Sequence, residues 1–264
     1  MPVILGGNTG IYLASLTPSV DPDAQAFITA AGITNPTQQA AINTLVVDLK
    51  GYSIWTKMKA IYPMVGGTNT SNSYNLRNTA QYQIAWAGSV TSNSNGVTFG
   101  ANGYGNTNLN PNTQFSTNDS MHLSAYSRTN NDLGGLDFGG LNASAVSGLY
   151  LRFSNSAYAY INGSAGVLTA NTNSTGFYVG TRTSSNLLKL FKNNSQLGST
   201  YTGANGARLD LNAFLGAVNV SNIPAYYTQR NYAFASIGDG LLDSEANNLY
   251  LCVQQFNTTL GRQV

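Results

Sequence analysis

Residues 149–163 read Leu149-Tyr-Leu-Arg-Phe-Ser-Asn-Ser-Ala-Tyr-Ala-Tyr-Ile-Asn-Gly163. Leu149, Leu151 and Phe153 alternate with other residues, as do Tyr158 and Tyr160, and Asn162-Gly163 closes the stretch. A period of two marks β-strands, and Asn-Gly supplies the positive φ of tight turns. The same grammar recurs on both sides. Tyr82, Ile84 and Trp86 alternate upstream; Phe177 and Val179, then Leu209, Leu211 and Phe214, alternate downstream. Asn95-Gly96, Asn102-Gly103 and Asn205-Gly206 punctuate the runs. Many short strands with frequent turn signals predict a mostly β chain, a sandwich or jelly roll.

Outside this region the pattern changes. Residues 1–20 lack a helical period and read as an extended arm, with no signal-peptide pattern in Met1–Gly10. Residues 21–62 read as helical. Asn35-Pro36 is a cap followed by proline at the first helical position. Ile42, Leu45, Val46 and Leu49 then form one apolar stripe, and Gly51 ends it. A second short helical piece is expected through Ile54, Trp55, Met58 and Ile61, before Pro63. At the other end, Asp243 is the expected cap of a C-terminal helix. Glu245 lies in its first turn, and Ala246, Leu249, Tyr250, Val253 and Leu260 form its stripe. The expected organisation is an N-terminal arm with helices over residues 1–65, followed by a β-sandwich with a closing helix over residues 66–264. The apolar faces of the leader would pack on the sandwich or on a neighbouring chain, which makes Leu45, Leu49, Trp55 and Met58 candidate assembly residues.

Composition narrows the function. Only 8% of the 264 residues are charged, and the formal net charge is +2. About a quarter is usual, so Asn, Ser, Thr, Gly and Tyr must fill the surface. The scattered basic residues predict no nucleic-acid partner. No apolar run is long enough for a membrane-spanning helix, so no membrane insertion is expected. The single cysteine, Cys252, excludes an internal disulfide and falls on the helical stripe as a buried thiol.

Carboxylates are scarce: one glutamate, Glu245, and nine aspartates. Glycoside hydrolysis ordinarily uses a carboxylate pair. Only Asp132 and Asp137 lie close together in the strand region, and turn capping accounts for them. Asn130, Asn131, Asp132 and Asp137 are also an oxygen set from which a Ca2+ site could be built. His122, the only histidine, lies in an alternating run and reads as a structural residue. No cofactor and no enzymatic activity are expected; a polysaccharide depolymerase is the least favoured reading. Tyrosines beside amides suit sugar binding, because rings stack on pyranose faces and amides bond hydroxyls. Trp86, Tyr104 and Tyr126 are the candidate ligand-binding residues, with Tyr158, Tyr160, Tyr226, Tyr227 and Tyr232 in the wider inventory.

Two resemblances extend this reading. Gly176-Phe-Tyr-Val-Gly-Thr-Arg-Thr183 followed by Leu188-Lys-Leu-Phe-Lys-Asn193 resembles adjacent strands of concanavalin A-like, laminin-G-like jelly rolls. The tail from Phe234 to Leu241 and the following Asp243–Tyr250 segment are similar to that family's last strand and closing helix. Where the family commonly has Asn-Gly, this chain has Asn193-Asn194, and Asn still tolerates positive φ. The stretches 21–34, 49–67 and 260–264, with His122–Thr129, resemble structural proteins of tailed bacteriophages of gut, Bacteroidota-type hosts. That resemblance implies a virion component, such as a head fibre, decoration or tail appendage. Its expected partners are other virion proteins and further copies of the chain, with a trimer as the first expectation. Host attachment through glycans, as a lectin-like adhesin, is the alternative.

Overall fold

The computed structural model describes residues 19–264; all but the last two residues of the arm expected over residues 1–20 lie outside them. The chain opens with two helices, α1 (Pro22–Ala30) and α2 (Pro36–Gly51), then β1 (Met58–Tyr62) and the short α3 (Asn69–Ser73). Next come β2 (Ala85–Ala87), β3 (Val90–Asn93), β4 (Gly96–Phe99), β5 (Tyr104–Asn106) and α4 (Pro111–Gln114). The central run is β6 (Met121–Ser127), β7 (Phe138–Leu141), β8 (Val146–Phe153), β9 (Ser156–Tyr160) and β10 (Val167–Ala170). It continues with β11 (Gly176–Ser184), β12 (Leu187–Lys192) and β13 (Ser195–Gln196). The chain finishes with β14 (Phe214–Leu215), β15 (Val218–Val220), β16 (Ile223–Ala225), β17 (Asn231–Gly238) and α5 (Asp243–Thr259).

These strands form two sheets, as the alternation predicts. The first has eight strands in the order β13-β12-β11-β6-β17-β4-β3, with β1 also paired to β17. The second has nine, in the order β10-β9-β8-β7-β14-β5-β2, with β15 and β16 attached at β7. Their inner faces meet in one apolar core that includes Leu123, Tyr178, Leu190 and Ile237 from the first sheet and Phe138, Leu149, Leu151 and Leu215 from the second. Gly180 allows the sheets to approach here. A Cβ on it would stand 2.5 Å from Leu149 Cδ2, so only hydrogen fits.

A second core lies on the other side of the first sheet. Tyr126, Phe177, Val179, Phe191 and Phe234 point outward from it and are covered by α1, α2 and α5. Phe177 packs edge-on against Phe234 with ring centroids 5.9 Å apart. The molecule is therefore a helical layer, a sheet and a second sheet. Leu45, Leu49, Trp55 and Met58 are buried in this second core. The structure thus corrects their expected use as an assembly surface, because the chain's own sheet and α5 cover them. Residues on both sides of position 65 share the same core, among them Ile61, Val65, Phe177 and Phe234.

Local signals explain most boundaries. The Asn35 side chain accepts from Gln38 N at 3.1 Å, capping α2 before Pro36. Within residues 149–163, Phe153 pairs with Ser156, and Ser154 and Asn155 take positive φ in the turn between β8 and β9. Asn193 takes φ 55° in the β12–β13 turn. Two expectations fail. The short helical piece is only one turn of 3-10 helix, Trp55–Lys57, with Ile54 at its cap; residues 58–62 form a strand instead, and β1 runs antiparallel to β17. Its residues are buried or nearly so on both faces, so the spacing that resembles a helical stripe reflects double burial instead. Asp243 lies inside α5 rather than at its cap. The Glu245 carboxylate accepts from Leu242 N at 2.8 Å, while Asp243 pairs with Lys189 at 2.6 Å.

Candidate functional site

The open face of the second sheet carries a cluster of aromatic side chains. The register places Tyr150 opposite Tyr158 and Leu149 opposite Ala159. Leu149, Leu151, Ala157 and Ala159 therefore enter the core, and Tyr150, Tyr158 and Tyr160 take the outer face. Tyr158 and Tyr160 stack at 6.1 Å with planes 20° apart, and Tyr150 lies 5.1 Å from Tyr158. Phe153 extends the cluster, 5.9 Å from Tyr150 and 43% exposed. Tyr226, 66% exposed, lies nearby. Burial pushes the Tyr150 hydroxyl up to about 12, helped by the charges that Tyr160, Tyr158 and Tyr226 would carry. The hydroxyl therefore stays protonated at neutral pH and remains a hydrogen-bond donor. A depression of about 280 Å³ adjoins the rings, lined by Tyr150, Tyr160, Asn142, Ser144 and Ser164 among others. It sets amide and hydroxyl groups beside two aromatic rings.

A buried polar network aims this cluster. The pairing of β8 with β9 shifts register between Tyr150 and Phe153. Such a break leaves backbone groups unpaired and redirects side chains. Here Asp137 and Arg230 satisfy them. Asp137 Oδ2 accepts from Leu151 N at 2.6 Å, and Arg230 Nη2 donates to the Arg152 carbonyl at 2.9 Å. Asp137 and Arg230 are themselves fully buried and paired at 2.5 Å, and the Tyr232 hydroxyl donates to the same carboxylate. Burial opposes the charge on Arg230, but Asp137 outweighs it and holds the guanidinium above its ordinary pKa.

The expected site residues fare differently. Tyr126 is fully buried; its ring stacks on Phe177, and its hydroxyl bonds Gln254 and the main chain of Val264. It faces the helical layer and is unavailable to a ligand, which corrects its expected role. Trp86 packs on Phe99 at 5.9 Å and donates from its indole to the Asn69 carbonyl at 2.8 Å. Tyr104 stacks on Phe214 at 4.9 Å. Trp86 pairs with Gly105, so alternation turns Trp86 and Tyr104 to opposite faces. Tyr104 shares the outer face with the tyrosine cluster but is separated from β8 by β14 and β7. The three are not brought together.

Nor are the metal candidates. Asp137 is committed to Arg230 between the sheets, while Asp132 accepts from Asn155 N at 3.1 Å at the surface. Asn130 Oδ1 accepts from Arg152, and Asn131 Nδ2 donates to the Gln229 carbonyl. Among the described residues no three His, Cys, Asp or Glu side chains group as metal ligands do. The Ca2+ set is thereby corrected, since its main carboxylate serves an internal ion pair. His122 is buried, with Nδ1 2.7 Å from the Asp239 carbonyl and Nε2 3.1 Å from Ser236 Oγ. Those partners assign the proton to Nδ1.

Sequence reading missed Tyr150 and Phe153 as surface groups. The signal was the alternation of Ala157 and Ala159 with Tyr158 and Tyr160, where small residues mark the packed face.

No protein-family model matches the sequence, and no curated protein matches it. Solved structures do share its fold. Domain 4 of AbnA, a GH43 extracellular arabinanase from Geobacillus stearothermophilus, in complex with arabinotriose, matches with a TM-score of 0.50 at 14% identity, over 74% of this chain and 98% of that one. The binding domain of botulinum neurotoxin serotype D gives 0.54 at 13% identity, over 75% and 51%. Trypanosoma rangeli sialidase, in complex with a difluoro-KDN, gives 0.52 at 10% identity, over 81% of this chain and 39% of that one. The chain thus spans well under two thirds of the sialidase and of the toxin domain, but nearly all of the arabinanase domain. The expectation of a chain without enzymatic activity is overturned at this point: its fold recurs in chains of a sialidase and an arabinanase, so the sandwich does not set it apart from enzymes. At these identities the likeness is one of fold, and that fold is the β-sandwich of the jelly-roll type.

Proposed function

We propose that the chain is a carbohydrate-binding β-sandwich that receives a sugar chain across Tyr150, Tyr158 and Tyr160. The observation that carries this reading is the aromatic cluster on the uncovered sheet face, beside a depression lined by Asn142, Ser144 and Ser164. Rigid rings give apolar area to the C–H faces of a sugar at little conformational cost, and the amide and hydroxyl groups bond its hydroxyls. The bound arabinotriose of the AbnA domain, matched along almost its whole length, supports the same ligand class. Calorimetric titration with arabino-, gluco- and galacto-oligosaccharides tests it. Tyr150→Ala and Tyr158→Ala should each weaken binding roughly tenfold. Absence of binding across a broad glycan array, or binding that both variants leave unchanged, would count against the proposal.

A second reading, a component of a phage particle, draws on the stretches similar to tailed-phage structural proteins. One observation favours treating them together. Arg262, in the last stretch, donates to the carbonyls of Met64 at 2.6 Å and Pro63 at 2.7 Å, in the second. Phe27 and Ile28 of the first stretch and Trp55, Met58 and Ile61 of the second are buried in one core, against which Leu260 of the last stretch packs. On this reading the helical layer faces the particle or sister subunits, and the tyrosine face points to the host. Finding the chain in purified particles by mass spectrometry, with its symmetry traced by electron microscopy, tests the particle and the oligomer together.

A further inference from the structure

A second polar depression, sharing no residue with the first, lies where β1 meets the loop 77–82. It has a volume of about 300 Å³, and Lys59, Arg77, Asn78, Gln81, Tyr82 and Gln114 lie around it. That volume is at the small end for ligand sites, the scale of a single sugar unit. Two cations border it. Lys59 Nζ reaches Asp239 only at 3.9 Å. Among the described residues no acid pairs with Arg77, and its Nε is buried without a hydrogen-bond partner. Its guanidinium lies 5.1 Å from the centroid of the Trp55 ring, which holds the plane without using its donors. That buried nitrogen lies out of a ligand's reach, which leaves the terminal Nη donors of the guanidinium to meet an acceptor.

The depression is preorganised by one side chain. Asn75 is fully buried. Its Oδ1 accepts from Ile61 N and Arg77 N, each at 2.9 Å. Its Nδ2 donates to the Lys59 carbonyl at 3.2 Å and the Gln81 carbonyl at 3.3 Å. Asn75 thus fixes the main chain under both cations and under Gln81. Tyr82 is held from two sides: Tyr62 donates to its carbonyl at 2.7 Å, and its own hydroxyl donates to Gln114.

We infer that this depression binds an acidic sugar unit, with the carboxylate on Arg77 and Lys59 and the hydroxyls on Asn78 and Gln81. The guanidinium fork matches a carboxylate, and the surrounding amides match a polyol. The inference does not need the tyrosine face.

Calorimetric titration of the full chain with galacturonate, galactose and inorganic phosphate tests it. Galacturonate is expected to bind, more weakly at high salt, and to remain bound in the presence of saturating arabino-oligosaccharide. Arg77→Gln should weaken it roughly tenfold, and Arg77→Lys, which keeps charge but loses the fork, should weaken it less. Thermal melts of each variant establish that it is folded. Galactose or phosphate binding as tightly as galacturonate would overturn the inference. So would galacturonate binding that folded Arg77→Gln leaves unchanged, or no galacturonate binding to the unsubstituted chain.

Discussion

The two sheets share one core and have opposite surroundings on their other faces. In the eight-stranded sheet, β6 and β17 are buried along their whole length, because the second sheet covers one face and the helical layer the other. In the nine-stranded sheet, β9 alternates, with Ala157 and Ala159 buried and Ser156, Tyr158 and Tyr160 half-buried. A face that must exclude water on both sides is occupied by Phe, Tyr and Val that serve packing. A face left open keeps tyrosines whose rings and hydroxyls are free to meet a ligand. Aromatic residues therefore mean different things in the two sheets: Tyr126 is structural and Tyr158 is a surface group, although both lie on strands.

Substitution in matched pairs would break or sharpen this contrast. Phe234→Ala, in the doubly covered sheet, should cost about 3–5 kcal/mol in urea unfolding, since it opens a cavity between β17 and the helices. A cost near that of a surface substitution would mean that the helical layer is only loosely held.

The next effect is pH-dependent and again belongs to the covered sheet. Burial lowers the His122 pKa from 6.5 to about 4, against the bond to the Asp239 carbonyl; Lys57 adds to the lowering and Glu245 opposes it. The unfolded chain then binds more protons than the folded one between these values. The stability contributed is full above about pH 6.5 and is lost as pH falls towards 4, on the order of 3 kcal/mol in all. Unfolding free energies at pH 7 and pH 4.5 should differ accordingly, and less so in a folded His122→Gln variant. Equal slopes in the two proteins would show that other groups carry the acid sensitivity.

The smallest effect on stability is expected at the open face. Tyr158→Ala should cost about 1 kcal/mol or less, because the ring is half-buried at the surface, where it packs on Tyr150 and Tyr160. The same variant should show the large loss in sugar binding. A stability cost as large as that of Phe234→Ala would place the tyrosines among packing residues and remove the basis for the binding face.

Part of this was legible in the chain. Asn35-Pro36 announces α2, and the α5 stripe is borne out at Ala246, Leu249 and Val253. The Asn193 turn needs only the tolerance of asparagine for positive φ. The alternating stretch 149–163 becomes the β8–β9 hairpin almost as written. The candidate site was not legible to the same degree. Alternation separates Tyr158 from Ala159 but does not say which of them faces water. Of the three ligand-binding candidates, Trp86, Tyr104 and Tyr126, only Tyr104 shares the open face, strands away from the cluster, whereas Tyr158 and Tyr160 stood only in the wider inventory.

The sequence by itself determined what short-range forces govern: the capped helices, the tight turns, the strand content and the sparing use of charge. Tertiary structure decided the rest. It made β1 a strand because β17 offered an unpaired edge and both faces became buried. It joined Asp137 to Arg230 across 93 residues, under the register shift that presents Tyr150. Among the described residues it placed all the long helices on one side, leaving the far face of the second sheet without a helical cover. Local propensity acts over a few residues, whereas water is excluded only where distant segments meet, so the face available for binding is set by the packing of the whole chain.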